Sequence, residues 1–365
     1  MLAIMGRGDS SVLKSHVKVA WPYCEAAATE ALSRASKNST KLTWAIEVLR
    51  ACANSFVFTG GPVSAPAFAL VVAMLNAVAT SRQDPSPSLR VIAKHVLRST
   101  TKGFCAQLNQ PQVEELFVAT LAAGRSLPSK SAMMRSALDH LSPSPQTLAQ
   151  LVKAAASCKD EWLPAASFTL IALDLPLANF IDSASTLDPL LPLLDEINAL
   201  LVRCHQAAGV DSSEEEVAFC IGLACNLASQ LLNSSSSSFK PFKKLHARAS
   251  AYADTLRTCV ESGKQPVRVT SAATQFLAAL ASRCPQEMTS SIVGMVQQLS
   301  RFAAADEDDD SLFDCTQLVL RSVLPHLRES GDSVGALLRD LVQAFEEGSG
   351  SRRLAICATL LQVLI

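Results

Sequence analysis

The strongest constraint on this chain is a texture repeated along it: amphipathic Ala/Leu/Ser-rich segments of about 12–20 residues, parted by short Pro, Ser, Gly or Asp breaks, with no strand-like alternation between them. Helices that carry an apolar stripe must bury it on one another, so helix-on-helix packing is the only layer arrangement open. Composition sets how close that packing is. Hydrophobic residues make up 49% but aromatics only 5%, so Ala, Leu, Val and Ile must do the burying, and small side chains let helix axes approach.

Periodicity carries the helical assignment. Met288, Ile292, Met295, Leu299 and Phe302 recur at spacings of four and three, which places them on one helix face. Leu190, Leu194, Ile197, Leu201 and Cys204 form a second seam, and Leu312, Val319, Val323 and Leu327 a third. Start signals fit these seams. Asp188-Pro189 reads as an N-cap followed by a first-turn proline, and Ser212-Ser213-Glu214-Glu215 as a capping box. Trp21-Pro22, Gln110-Pro111 and Gln265-Pro266 read as proline-led starts. The pattern predicts about 16–18 helices and an all-α fold.

Short connections make consecutive helices antiparallel neighbours, and hairpins beginning near Pro266 and Ser311 are about 45 residues apart, within the range of HEAT and armadillo repeats. The segment Leu318-Val-Leu-Arg-Ser-Val-Leu-Pro-His-Leu-Arg328, with its internal Pro325, resembles the first helix of a HEAT unit, with Val334 to Phe345 as its partner. That resemblance to the HEAT/armadillo superfamily implies a right-handed α-solenoid of antiparallel helix pairs. Leu42-Thr-Trp-Ala-Ile-Glu-Val-Leu-Arg50 is similar to the N-terminal part of the ribosome-associated HEAT activators of the amino-acid-starvation kinase.

The expected organisation is N-terminal helical repeats over 1–232, a Ser-rich loop over 233–240 and HEAT-like repeats over 241–365. The acidic run Asp306-Glu307-Asp308-Asp309-Asp310 reads as a second exposed loop. The last helix, Leu354 to Ile365, ends in an apolar run without a polar cap, so the array either continues in a longer parent chain or docks its end.

A net charge of −1 supplies no general field toward nucleic acid or membrane. The 11 cysteines are scattered at irregular spacing, which argues against a disulfide framework and for a reducing compartment, cytoplasmic with the nucleus as alternative. The apolar run at Met1 is too short for a signal peptide. Gly60, Gly61, Pro62 and Pro66 interrupt the uncharged stretch Ala51 to Ser81, so it is expected to be a buried helix rather than a membrane span.

Local motifs yield no catalytic centre. Gly331-Asp332-Ser333-Val334-Gly335 fits G-x-S-x-G, but a helix precedes it where a nucleophile elbow needs a strand; a serine hydrolase using Ser333 is the remote alternative. Cys204-His205 and the pair Cys220/Cys225 lack the spacing of a zinc site and are expected to be buried structural thiols. His16, His95, His140, His246 and His326 stand singly in the sequence. Arg7-Gly8-Asp9 and the sequons at Asn38 and Asn233 matter only outside the cytoplasm. No Walker A or dinucleotide loop is present, so no catalytic, cofactor or metal residue is expected.

The feature singled out is a basic stripe, Lys240, Lys244 and Arg248, spaced four apart with Lys243 and His246 beside it, which would hold phosphate or an acidic partner. The bland counterpart is a solvated helix face, or one paired with the acidic loop. The sequence therefore points to a non-enzymatic scaffold or adaptor in a larger protein complex, with no membrane span and no small-molecule substrate. The alternative is a ribosome- or RNA-associated repeat factor in translation regulation, although only Phe239 and Phe242 offer stacking surfaces near the stripe.

Overall fold

The computed structural model describes residues 26, 65–79, 96–97, 100, 102–125, 132–158, 162–183, 187–207, 214–233, 244–261, 266–289, 291–292, 295, 310–327 and 358. The described residues are helical with no strand, so the fold is all-α. Contacts divide the chain into two units, one of 1–147 with 172–180, the other of 148–171 with 181–365.

In the first unit, helix α1 (Ala65–Ala79) buries Phe68, Val71, Val72, Leu75 and Val78, the i, i+3, i+4, i+7 pattern of one face, while Ala69, Ala73 and Asn76 face outward. The suspected span is thus, over these residues, a buried helix. It packs on α3 (Gln110–Arg125), which follows the short α2 (Lys102–Cys105) and in turn packs on α4 (Ala132–Asp139). A reciprocal capping box opens α3: the Gln112 N–H donates to Asn109 Oδ1 at 3.0 Å and the Asn109 N–H to Gln112 Oε1 at 3.1 Å. The proline was the visible signal there, but the two amide side chains satisfy the donors. Helix α5 (Pro145–Ser157), which lies in the second unit from Leu148 onward, is capped by a side chain in turn, with the Thr147 N–H donating to Ser144 Oγ.

Helix α6 (Trp162–Ser183) runs through Pro176, forgoing one i to i−4 bond there. In the second unit a 3₁₀ turn (Asp188–Leu190) leads into α7 (Leu191–Ala207), followed by α8 (Glu214–Asn233), α9 (His246–Glu261), α10 (Val267–Ala281) and α11 (Asp310–Leu327). The seam Leu190, Leu194, Ile197, Leu201, Cys204 is buried throughout. So are Met288, Ile292 and Met295; Leu299 and Phe302 lie outside the described residues. Val319 and Val323 are buried on α11, which runs through Pro325. Asp310 starts α11 rather than sitting in the acidic loop, and 306–309 lie outside the described residues.

The order of packing is the informative part. Consecutive helices pack, α7 on α8, α9 on α10 and α10 on α11, but so do alternate ones, α7 on α9 and α8 on α10. Polar contacts give direction. Glu215 at the start of α8 pairs with Arg268 at the start of α10 at 3.9 Å. At the other ends, Arg283 Nε donates to the Leu232 carbonyl at 2.6 Å. Start meets start and end meets end, so α8 and α10 are parallel, with α9 returning between them. Asp195 and Arg248, 53 residues apart, join the first turns of α7 and α9 in the same sense, and Glu215 and Arg268 share that separation.

Helix α10 sits against α8, α9 and α11, and its sequence matches that position. Val269, Ala272, Ala273, Phe276, Leu277 and every residue from Ala278 to Ala281 are buried, so the small side chains admit neighbours on several sides. Its buried Thr274 hydroxyl donates to the Thr270 carbonyl, which removes an otherwise unpaired polar group. Helix α8 is long and apolar enough by composition to cross a membrane, and 61% of that window is buried inside the fold, as in a core helix. Its first turn carries Glu214, Glu215 and Glu216, opposite in sign to the helix N-terminus. Ser212 and Ser213, the expected cap, lie outside the described residues.

Neighbouring positions on α7 test this packing. Leu201 is fully buried and Val202 is 39% exposed. Leu201→Ala is expected to cost about 2–5 kcal/mol and Val202→Ala under about 0.5 kcal/mol, read from chemical denaturation midpoints.

Candidate functional site

Among the described residues, the first turn of α9 gathers several interacting polar side chains. Of the basic stripe, Lys244 and Arg248 are described, while Lys240 and Lys243 lie outside the described residues. Helix α9 begins at His246, so Lys244 stands in the turn ahead of it rather than on a shared helix face with Arg248. The Lys244 side chain is exposed, and its backbone N–H donates to Asp188 Oδ1 at 3.2 Å. Asp188 was expected to cap its own helix. Instead Leu187 occupies the cap position without a side-chain bond, and the Asp188 carboxylate serves the start of α9.

Arg248 is held by a carboxylate of the same unit. Its Nε lies 3.0 Å from Asp195 Oδ2, and the other carboxylate oxygen accepts the Tyr252 hydroxyl at 2.7 Å. Tyr252 is almost fully buried against Phe276, and burial, followed by its bond to Asp195, pushes its phenol well above the usual range. Arg248 is thus a structural cation as well as a candidate contact. The stripe was expected to hold phosphate or an acidic partner, with a solvated face or pairing with the acidic loop as the bland counterpart; Arg248 pairs with Asp195 on α7, and 306–309 of the acidic run lie outside the described residues. Nothing local signals the pairing of Arg248 with Asp195, since the two residues are 53 positions apart.

The suspected cysteine pair is structural in its surroundings. Cys204, Cys220, Cys225 and Cys259 are buried on α7, α8 and α9. The hydrogen bond between the Cys204 and Cys220 thiols, with burial, raises Cys204; burial also raises Cys225, and pushes Cys259 up to about 11. The bond from Cys204 lowers Cys220 against the effect of its burial, whereas the raised thiols Cys204, Cys225 and Cys259 stay protonated and unreactive. Arg203 stacks over the Trp162 ring at 4.4 Å, fixing the end of α7 on the start of α6.

A different set of ligand-type atoms does converge. His246, at the start of α9, meets the Cys284-Pro-Gln-Glu287 turn that follows α10. The His246 Nδ1 lies 2.7 Å from Glu287 Oε1, and one ligand atom from each of His246, Cys284 and Glu287 falls within 4.8 Å of the others. Cys284 is buried and is pushed up to about 12, chiefly by burial and further by the Glu287 charge, with Arg283 opposing. His246 stood alone in the sequence because Glu287 is 41 residues away. Ser333 and its motif, Arg7-Gly8-Asp9 and Asn38 lie outside the described residues; Asn233 is the exposed last residue of α8.

No protein-family model and no curated protein matches the chain.

The polar hub gives a direct test. Tyr252→Phe is expected to cost about 1 kcal/mol, and Asp195→Ala about 1–3 kcal/mol because it leaves a buried hydroxyl unpaired. Arg248→Ala, at an ion pair with both side chains more than a third exposed, should cost no more than about 1 kcal/mol. Thermal unfolding of the three variants checks the order.

Proposed function

We propose that this chain is a non-enzymatic HEAT/armadillo-like α-solenoid that binds a protein partner along one layer of its helices and acts as a scaffold in a larger complex. The observation that carries the reading is the alternate-helix packing: α8 parallel to α10, and α7 joined to α9 in the same sense. Stacked hairpins produce this pattern, because each unit packs on the next with the same layer order. The starts of α10 at Val267 and α11 at Asp310 lie close to the expected spacing of about 45 residues. Phe219 on α8 and Leu318 on α11 are 45% and 47% exposed and belong to helices that each pack on α10, and they would offer a partner apolar anchors.

The cytoplasmic placement and the ribosome- or RNA-associated alternative rest on the sequence, and salt dependence separates scaffold from alternative. In affinity purification of the full chain from its native cells, the scaffold reading expects a discrete protein set that survives high salt and is depleted by the Phe219→Ser/Leu318→Ser double variant. Ribosomal proteins and RNA that leave at high salt, and leave sooner when Lys240, Lys243, Lys244 and Arg248 are made neutral, would favour the alternative.

A further inference from the structure

We propose that His246, Cys284 and Glu287 form a binding site for a single zinc-class metal ion, which clasps the start of α9 to the turn after α10. Three kinds of donor meet there, an imidazole nitrogen, a thiol sulfur and a carboxylate oxygen, each within 4.8 Å of the others. In a tetrahedral zinc site, ligand atoms at bond lengths of about 2.0–2.3 Å stand about 3.3–3.6 Å apart, so closure needs only small side-chain rotations. A thiol beside an imidazole selects a borderline or soft ion and rejects calcium and magnesium, which take oxygen donors.

An independent observation points into the same place. Glu287 Oε1 is engaged by His246, but Glu287 Oε2 is buried without a hydrogen-bond partner. A carboxylate oxygen removed from water and left bare is costly, and a cation at this point would satisfy it. The backbone already holds the donors in place. The Cys284 N–H donates to the Leu280 carbonyl at 2.9 Å, extending the last turn of α10, and Met288 N–H closes on the Pro285 carbonyl, which sets Cys284 and Glu287 on either limb of one turn. Ser291 Oγ donates to Asp254 Oδ1 at 2.9 Å and ties the following segment to α9. On binding, the Cys284 thiol gives its proton to solvent and coordinates as thiolate. His246, half exposed, leaves one side open, so water completes the fourth position.

The test is titration of the purified full chain, stripped with chelator and kept reduced, with Co(II) and then Zn(II). One equivalent of Co(II) is expected to give a thiolate-to-cobalt charge-transfer band with tetrahedral ligand-field absorption, both displaced by Zn(II). Cys284→Ser should abolish the charge-transfer band. His246→Ala and Glu287→Gln, at partly exposed positions where folding is checked by circular dichroism, should each weaken Co(II) at least about tenfold, since even outer-shell losses cost 10–100-fold. Absence of the band, or a band whose affinity is unchanged in His246→Ala and Glu287→Gln, would overturn the site whether or not Cys284→Ser folds.

Discussion

The parallel packing of α8 on α10 is the contact on which the rest of the second unit depends. Each helix is apolar well beyond a narrow stripe, and neither could stand in water on that account. Placed side by side, with α7 and α9 against them and α11 beyond, they bury Val217, Ile221, Leu231, Phe276 and Leu280 together. Alanine and cysteine at the contact positions keep the axes close, and the buried Thr274 hydroxyl bonds to the Thr270 carbonyl of its own helix. Hydrophobic burial is non-directional, so it does not by itself choose parallel over antiparallel. Direction comes from polar contacts at the helix ends, Glu215 with Arg268 and Arg283 with the Leu232 carbonyl.

The same division of labour explains the first turn of α9. Its polar side chains are spent holding neighbouring helices: Asp188 receives the Lys244 N–H, Asp195 holds both Arg248 and Tyr252, and His246 reaches Glu287. Arg248, part of a basic stripe that reads as a ligand surface, therefore also helps set register between α7 and α9. Charge used in this way is worth little per exposed pair. Its value lies in orientation, because each contact joins residues some 50 positions apart and fixes which turn of one helix faces which turn of the next.

Much of this fold was legible in the sequence because it is written in local periodicity. The seam from Leu190 to Cys204 and the triplet Met288, Ile292, Met295 follow from spacings of three and four and are buried as expected. The buried character of α1 followed from the breaks at Gly60 to Pro62. What could not be read were contacts between distant residues. Gln110-Pro111 read as a proline-led start, yet the Asn109 side chain before it completes a capping box; Asp188 read as a local cap, yet its carboxylate accepts from the start of another helix. The His246, Cys284 and Glu287 cluster has no signal at short range, since one ligand comes from α9 and two from the turn after α10. Periodicity reports which face is buried and is silent about which helix buries it.

Native-state hydrogen exchange across increasing denaturant tests the central claim most directly. If α8 and α10 form the keystone pair, amides within 214–233 and 267–281 should be the slowest of the second unit and should open together, at one free energy. Opening of 214–233 at markedly lower denaturant than 267–281, or ahead of α7 and α9, would contradict the account.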